Sequence, residues 1–208
     1  SNGNAFTSPI VISSNKTNSQ PLQLIAIENH VYVTMMDGYA ENGTLPYNIS
    51  FRTSSDNGTT FGRSVNLLQN PLKGLAIPSP IQIQTAENGR IIYVIGEYFP
   101  DCLTFSTAIC TNQIFFEKSE DFGTTFSVPR IIYSTHQFVE DLHTYASEKN
   151  VYLVWGENQH DINFMNSSDG GKTFSIPNDL TKSTSVGKVL FPNGIGLAAN
   201  GLDVYVIE

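Results

Sequence analysis

Short runs of alternating apolar and polar residues recur along the chain, each closed by a turn signal. LQLIAIE (22–28) and HVYVTMM (30–36) form one pair. PIQIQTAE (80–87) with RIIYVIG (90–96), and DLHTYASE (141–148) with NVYLVWG (150–156), form two more. A third alternating run follows each pair: YNISFRTS, NQIFFEKS and DINFMNS. Then comes a run that reads as an edge strand: GRSVNLL, SVPRIIY and SIPNDLT. IGLAAN (195–200) and LDVYVIE (202–208) repeat the first two runs once more. No sustained 3.6-residue period is present. The pattern predicts repeating units of four short strands, here called a, b, c and d.

The turn between c and d is written three times: SSDNGTTF, SEDFGTTF and SSDGGKTF. Its fixed positions are Ser54, Asp56, Gly58, Thr60 and Phe61; Ser119, Asp121, Gly123, Thr125 and Phe126; and Ser167, Asp169, Gly171, Thr173 and Phe174. Each type has a physical reason to be there. The Asp is a short acceptor for nearby backbone N–H groups. The glycine takes a positive φ. The Thr returns a hydroxyl hydrogen bond, and the Phe plugs the apolar layer. A damaged fourth copy is read at Asn2-Gly3-Asn4-Ala5-Phe6, followed by a d strand, FTSPIVIS.

Four-stranded units repeating about every fifty residues predict an all-β fold, a β-propeller of four-stranded blades. The S-x-D-x-G-x-T-F turn resembles the Asp-box, or BNR repeat, of sialidases and related propellers. The resemblance runs from Asn2 to Glu208 and is nearest to non-catalytic sialidase-like repeat proteins of microbial cell surfaces. It implies a single propeller domain or fragment. The predicted divisions are a terminal d strand at 1–20, blades at 21–70, 71–135 and 136–185, and a part-blade at 186–208. Ring completion is expected either from a longer chain or by self-association.

The same family implies a test for sialidase chemistry. Its enzymes use three arginines, a Tyr–Glu nucleophile, an Asp acid/base and an Arg-Ile-Pro motif. This chain has no Arg-Ile-Pro, and Arg52, Arg63, Arg90 and Arg130 are spread over rim positions. No catalytic residue is therefore assigned. The expectation leans away from an enzyme and towards a non-catalytic extracellular or cell-surface module that binds protein or glycan. A sialidase-like glycoside hydrolase, with its catalytic residues degenerate or outside the chain, is the alternative.

Composition narrows the partners. Nineteen acidic residues against 11 basic ones give a net charge of -8, which disfavours nucleic acid. No apolar run is long enough to span a membrane. Sequon triplets at Asn15, Asn42, Asn48, Asn57 and Asn166 fit an exported protein, though no signal peptide is visible. Cys102 and Cys110 flank a polar insertion and are expected to form a disulfide.

Acids recur at the ends of the b strands: Asp37, Glu97, Glu157 and Glu208. Asp37, Glu97 and Glu157, with Tyr98, Phe99 and Phe105 from a long b-to-c insertion, are the candidate binding residues. Asp141, His143, Glu157, His160 and Asp161 are a weaker candidate set for a divalent cation, since imidazole and carboxylate suit zinc or a similar ion. Tyr32, Tyr93, Tyr152 and Tyr205 recur one position into each b run and are read as packing positions between blades.

Overall fold

The computed structural model describes residues 8–13, 19–37, 48–67, 81–100, 111–158, 161–183, 194–200 and 202–207. Sheet 1 contains β1 (Ser19–Ile27), β2 (His30–Asp37), β3 (Asn48–Ser54) and β4 (Val65–Leu67). Sheet 2 contains β5 (Gln82–Ala86), β6 (Ile91–Tyr98), β7 (Asn112–Ser119) and β8 (Arg130–Thr135). Sheet 3 contains β9 (Val139–Ser147), β10 (Asn150–Glu157), β11 (Asp161–Ser167) and β12 (Asn178–Asp179). β13 (Gly196–Asn200) and β14 (Asp203–Ile207) pair as sheet 4. Each sheet is an antiparallel meander in chain order, so the predicted a-b-c-d units are the observed sheets.

The sheets are stacked in sequence. One apolar cluster lies between sheets 1 and 2 and joins Tyr32 and Phe51 to Ile83, Ile92 and Phe115. A second lies between sheets 2 and 3, where Tyr93, Ile95 and Phe116 meet Leu142, Leu153 and Trp155. A third joins Val154 and Ile162 to Ile195 and Val206. Sheet 2 is thus covered on both faces, which is why β6 reads IIYVIGEY with every residue buried. A two-layer sandwich would leave each sheet one open face. The first strands also neighbour one another in turn, β1 on β5, β5 on β9 and β9 on β13.

Each of the three S-x-D-x-G-x-T-F turns, called boxes below, closes the same way. Ser Oγ donates to Asp Oδ1 at 2.7–2.8 Å and accepts the glycine N–H at 2.9 Å. The Thr N–H donates to Asp Oδ1 at 2.9 Å, and the Thr hydroxyl donates to Asp Oδ2 at 2.6 Å. Two successive left-handed residues make the bend: Asn57–Gly58, Phe122–Gly123 and Gly170–Gly171. The Thr hydroxyl bond, with the Thr N–H and Ser bonds behind it, lowers the Asp56 carboxyl to about 2.

The box phenylalanines do more than fill their own sheet. Phe126 meets Phe51 of sheet 1 edge-on, with centroids 5.0 Å apart and planes at 74°. Phe174 meets Phe116 of sheet 2 likewise, at 5.3 Å and 70°. The glycine beside each lies flat on the same ring. A Cβ at Gly123 would collide with Phe51, and one at Gly171 with Phe116, whereas one at Gly58 would meet only Val31 Cγ2 at 3.6 Å.

Hydrogen bonds cross the same seams. Tyr32 Oη donates to Gly89 O at 2.9 Å, and Tyr93 Oη to Glu148 O at 3.0 Å, so these tyrosines bridge sheets as predicted. The Gln23 amide both donates to Ile83 O and accepts Ile83 N–H. The Gln82 amide does the same with Leu142 O and Thr144 N–H. A side-chain amide thereby imitates a ladder bond between first strands.

One expectation is corrected. Residues 8–13 of the predicted terminal d strand form no strand, and Ile10 and Val11 are exposed. No described strand pairs with them, so their backbone has no ladder to join. Tyr205, the fourth repeat tyrosine, is exposed too, because no described residue covers the outer side of sheet 4 there.

Two outcomes follow from the box geometry. Gly171→Ala should destabilise by about 3 kcal/mol or more in urea unfolding, and Gly58→Ala by only about 1–2 kcal/mol, because both lose the left-handed glycine but only Gly171 faces a ring. Equal losses would show that the ring contact is immaterial. Acid unfolding gives the second outcome. A depressed carboxyl contributes stability that is present above its unfolded pKa, near 3.8, and is lost as pH falls through about 2. Asp56→Asn should flatten that part of the stability profile.

Candidate functional site

β6 carries an almost fully buried glutamate one residue before its end, and β10 ends on one: Glu97 is 5% exposed and Glu157 is 7% exposed. Their surroundings differ. Thr135 Oγ1 donates to Glu157 Oε1 at 2.7 Å. Tyr133 Oη (2.9 Å), Trp155 Nε1 (3.3 Å) and Asn163 Nδ2 (3.3 Å) all donate to Glu157 Oε2. Tyr133 and Thr135 come from sheet 2, so the carboxylate ties sheet 2 to sheet 3. Four donors fill it, and it presents little to a ligand.

Glu97 has no hydrogen-bond partner among the described residues. Burial pushes its carboxyl up to about 8, and the charge of Glu140 on β9 adds to the rise. Its neighbours Tyr93 and Ile95 belong to the cluster between sheets 2 and 3, so strand alternation points Glu97 into that seam. Asn112 shares the face. It stands two residues from Ile114, the register partner of Glu97, and Ile114 packs in the same cluster. Asn112 is 4% exposed, and its Oδ1 has no hydrogen-bond partner.

The other candidates are placed as follows. Asp37 ends β2, with register partners Ser19 and Asn48. Tyr98 and Phe99 are 2% and 6% exposed, which corrects their reading as exposed contacts. Tyr98 points to the opposite face from Glu97 and packs with Ile81 and Phe115. Phe105, Cys102, Cys110 and His160 lie outside the described residues, so the disulfide does too.

The predicted cation set is not brought together. Asp141 Oδ1 contacts His143 Nε2 at 2.9 Å, but Asp141 Oδ2 accepts the N–H groups of Gly194 (3.0 Å) and Ile195 (2.7 Å). Asp141 is thereby a clasp between sheets 3 and 4, made by a residue at φ 50°. Asp161 accepts from Asn158, and Glu157 is filled. Among the described residues no three His, Cys, Asp or Glu side chains are grouped to hold a metal.

Three arginines serve the boxes. Arg130 donates to the carbonyls of Gly171 and Lys172 and lies over the Phe116 and Phe174 rings. Arg90 pairs with Glu87 and donates to Glu120 O. Arg52 donates to Gly62 O at 3.4 Å. Sequence reasoning missed Asn112, Tyr133 and Thr135. Only the register of β7 against β6 and of β8 against β7, and the docking of sheet 3, put them beside the b-strand acids.

No family model matches the sequence, and no curated protein matches it. Solved structures give a distant, low-identity likeness to sialidase-like and GH62 β-sheet folds. The Hadza microbial sialidase Hz136 is matched at 14% identity with a TM-score of 0.49, over 70% of this chain and 30% of that one. The catalytic domain of Coprinopsis cinerea GH62 alpha-L-arabinofuranosidase is matched at 14% identity with a TM-score of 0.46, over 82% of this chain and 53% of that one. The chain thus spans about a third and about half of the two.

The two glutamates predict opposite behaviour. Glu157→Gln puts an amide N–H₂ where donors converge and should destabilise by roughly 2–4 kcal/mol in urea unfolding. Glu97 is held neutral in the fold, so its contribution is complete below its ordinary value of 4.5 and is lost as pH rises through about 8. In chelator-containing buffer the wild-type unfolding midpoint should fall over that interval, and that of Glu97→Gln should stay level.

Proposed function

We propose that the four sheets are successive blades of an Asp-box β-propeller. The chain is then scaffold of a sialidase-like, glycoside-hydrolase-type module that engages glycans, with its catalytic groups degenerate or outside the described residues. The observation that carries this reading is the joint between sheets. One box, one tyrosine bridge and one row of first strands recur at successive seams, as rotation about a common axis requires.

The chemistry of both strand ends supports the scaffold role. Arg52, Arg90 and Arg130 are engaged by box and turn carbonyls, and Glu157 is filled by donors from two sheets. The same facts favour a second reading, a non-catalytic extracellular module for protein or glycan recognition.

Glycan-array binding run beside hydrolysis of fluorogenic sialosides and arabinofuranosides tests the proposal. Glycan retention with no turnover above buffer is the expected result. Retention of no glycan would overturn the glycan-directed reading, and robust turnover would overturn the assignment of these residues as scaffold alone.

A further inference from the structure

Ser50 and Arg52 stand two apart on β3, so strand alternation turns both side chains to one face. Ile49 and Phe51 pack in the cluster between sheets 1 and 2, so Ser50 and Arg52 lie on the face turned away from sheet 2. The register sets Met35 beside Ser50 and Val33 beside Arg52, and both of these neighbours are buried. Ser50 is 4% exposed, and its hydroxyl has no hydrogen-bond partner. Arg52 is half-buried, and its Nε–H is buried without an acceptor. Two neighbouring donors on one face thus lack the same thing, an oxygen that accepts.

A guanidinium cannot shed its charge, and a buried donor left without an acceptor is destabilising. The other box arginines have their acceptors. Arg90 has Glu87 and the Glu120 carbonyl, and Arg130 has two carbonyls and two aromatic rings. Arg52 has one long bond, from Nη1 to Gly62 O at 3.4 Å, and no ion pair among the described residues. Nor does the four-stranded unit need an arginine there. Two residues before the box serine, sheet 2 has Glu117 and sheet 3 has Met165. With Nη1 turned to Gly62, the Nε–Nη2 edge is left for a bidentate acceptor. We propose that Arg52 and Ser50 form a binding site for a small tetrahedral oxyanion, a sulfate or phosphate group.

Oxygen count selects the shape of the ligand. Two oxygens of a tetrahedral group take the Nε–Nη2 edge, and a third reaches the hydroxyl of Ser50, whose Cα lies about 7 Å away along the strand. A carboxylate would use both oxygens on the arginine and leave Ser50 bare. Val33 and Met35 form an apolar wall beside the pair, and low local polarity strengthens charge-assisted bonds. Exposure rises from Ser50 through Arg52 to Gly62, so the seat opens towards Gly62. The group enters either as a free ion or as an ester whose remainder stays outside. The inference does not depend on what the propeller recognises.

The test is calorimetric titration of the full chain with inorganic sulfate, inorganic phosphate, a monosaccharide sulfate ester and acetate, in chloride buffer of constant ionic strength. Sulfate or phosphate should bind one per chain with Kd on the order of 1 mM or tighter, and acetate at least about tenfold more weakly. Binding of the sugar sulfate at equal affinity assigns the seat to an esterified group, and its exclusion assigns it to the free ion; both support the site. Arg52→Lys keeps the charge but loses the fork, and should weaken sulfate at least about tenfold. Ser50→Ala removes an unpaired hydroxyl, so it should keep the unfolding midpoint and bring sulfate down towards the affinity of acetate. No binding of either inorganic anion at about ten times the expected Kd overturns the proposal. Acetate bound as tightly as sulfate overturns the tetrahedral assignment, and wild-type sulfate affinity in both variants overturns the site.

Discussion

A glycine that must lie on the face of a phenylalanine sets the distance between neighbouring sheets. Gly123 against Phe51 and Gly171 against Phe116 leave no room for a Cβ. The turn that carries each glycine is closed by its own Ser, Asp and Thr, so it cannot yield. Rigidity on one side and an aromatic plane on the other turn a local loop into a gauge. Tyr32 stacks on Phe51 at 5.9 Å, and Tyr93 lies against Phe116 at 5.9 Å, so the ring being touched is itself braced from behind. The Tyr93 hydroxyl then continues to the next sheet's turn. Arg130 roofs the joint between sheets 2 and 3.

What the sequence discloses follows from how local each feature is. The repeated turn is satisfied within eight residues, so its acceptor, hydroxyls and glycine could be assigned roles before any contact was known. The c strands are placed to the residue at β7 and β11, because the turn marks where they end. The partner of the box phenylalanine is a different matter. Phe126 and Phe174 look like plugs for their own sheet, and only the stacking of sheets reveals that they close on the preceding one. Gln23 and Gln82 look like ordinary polar positions in alternating strands, yet each completes a ladder to another sheet. Tyr98 and Phe99 follow a strand and precede a polar insertion, which suggests exposure. Burial wins because Tyr98 continues the alternation of β6 into the cluster with sheet 1.

The b-strand glutamates show why an acidic position alone does not define a site. Glu97 and Glu157 occupy comparable places and have similar exposure. Glu157 gains Tyr133 and Thr135 because β8 of the preceding sheet ends beside it. Glu97 has no such donors, and its diagonal neighbour Asn112 offers a bare amide oxygen on the same face. The difference lies in which neighbour the docking brings, and no periodicity in one chain segment encodes that. Stability and recognition therefore divide along the seam: one carboxylate is consumed in joining sheets, and the other remains chemically unsatisfied within the same polar margin.

The joint also has a direction. A sheet offers a box on one side and a Tyr–Phe pair on the other, so sheet 2 docks onto sheet 1 with its box and receives the box of sheet 3. Sheet 1 presents Gly58 with only Val31 near it, while sheet 3 carries its own Tyr152–Phe164 pair, stacked at 6.2 Å. A directional contact repeated with a constant rotation either closes on itself or continues. It cannot terminate in a self-complementary pair, as a two-fold interface does. A further sheet docked on sheet 3 in the same way would lay a glycine and a phenylalanine edge on the Phe164 ring, as the boxes of sheets 2 and 3 do on Phe51 and Phe116.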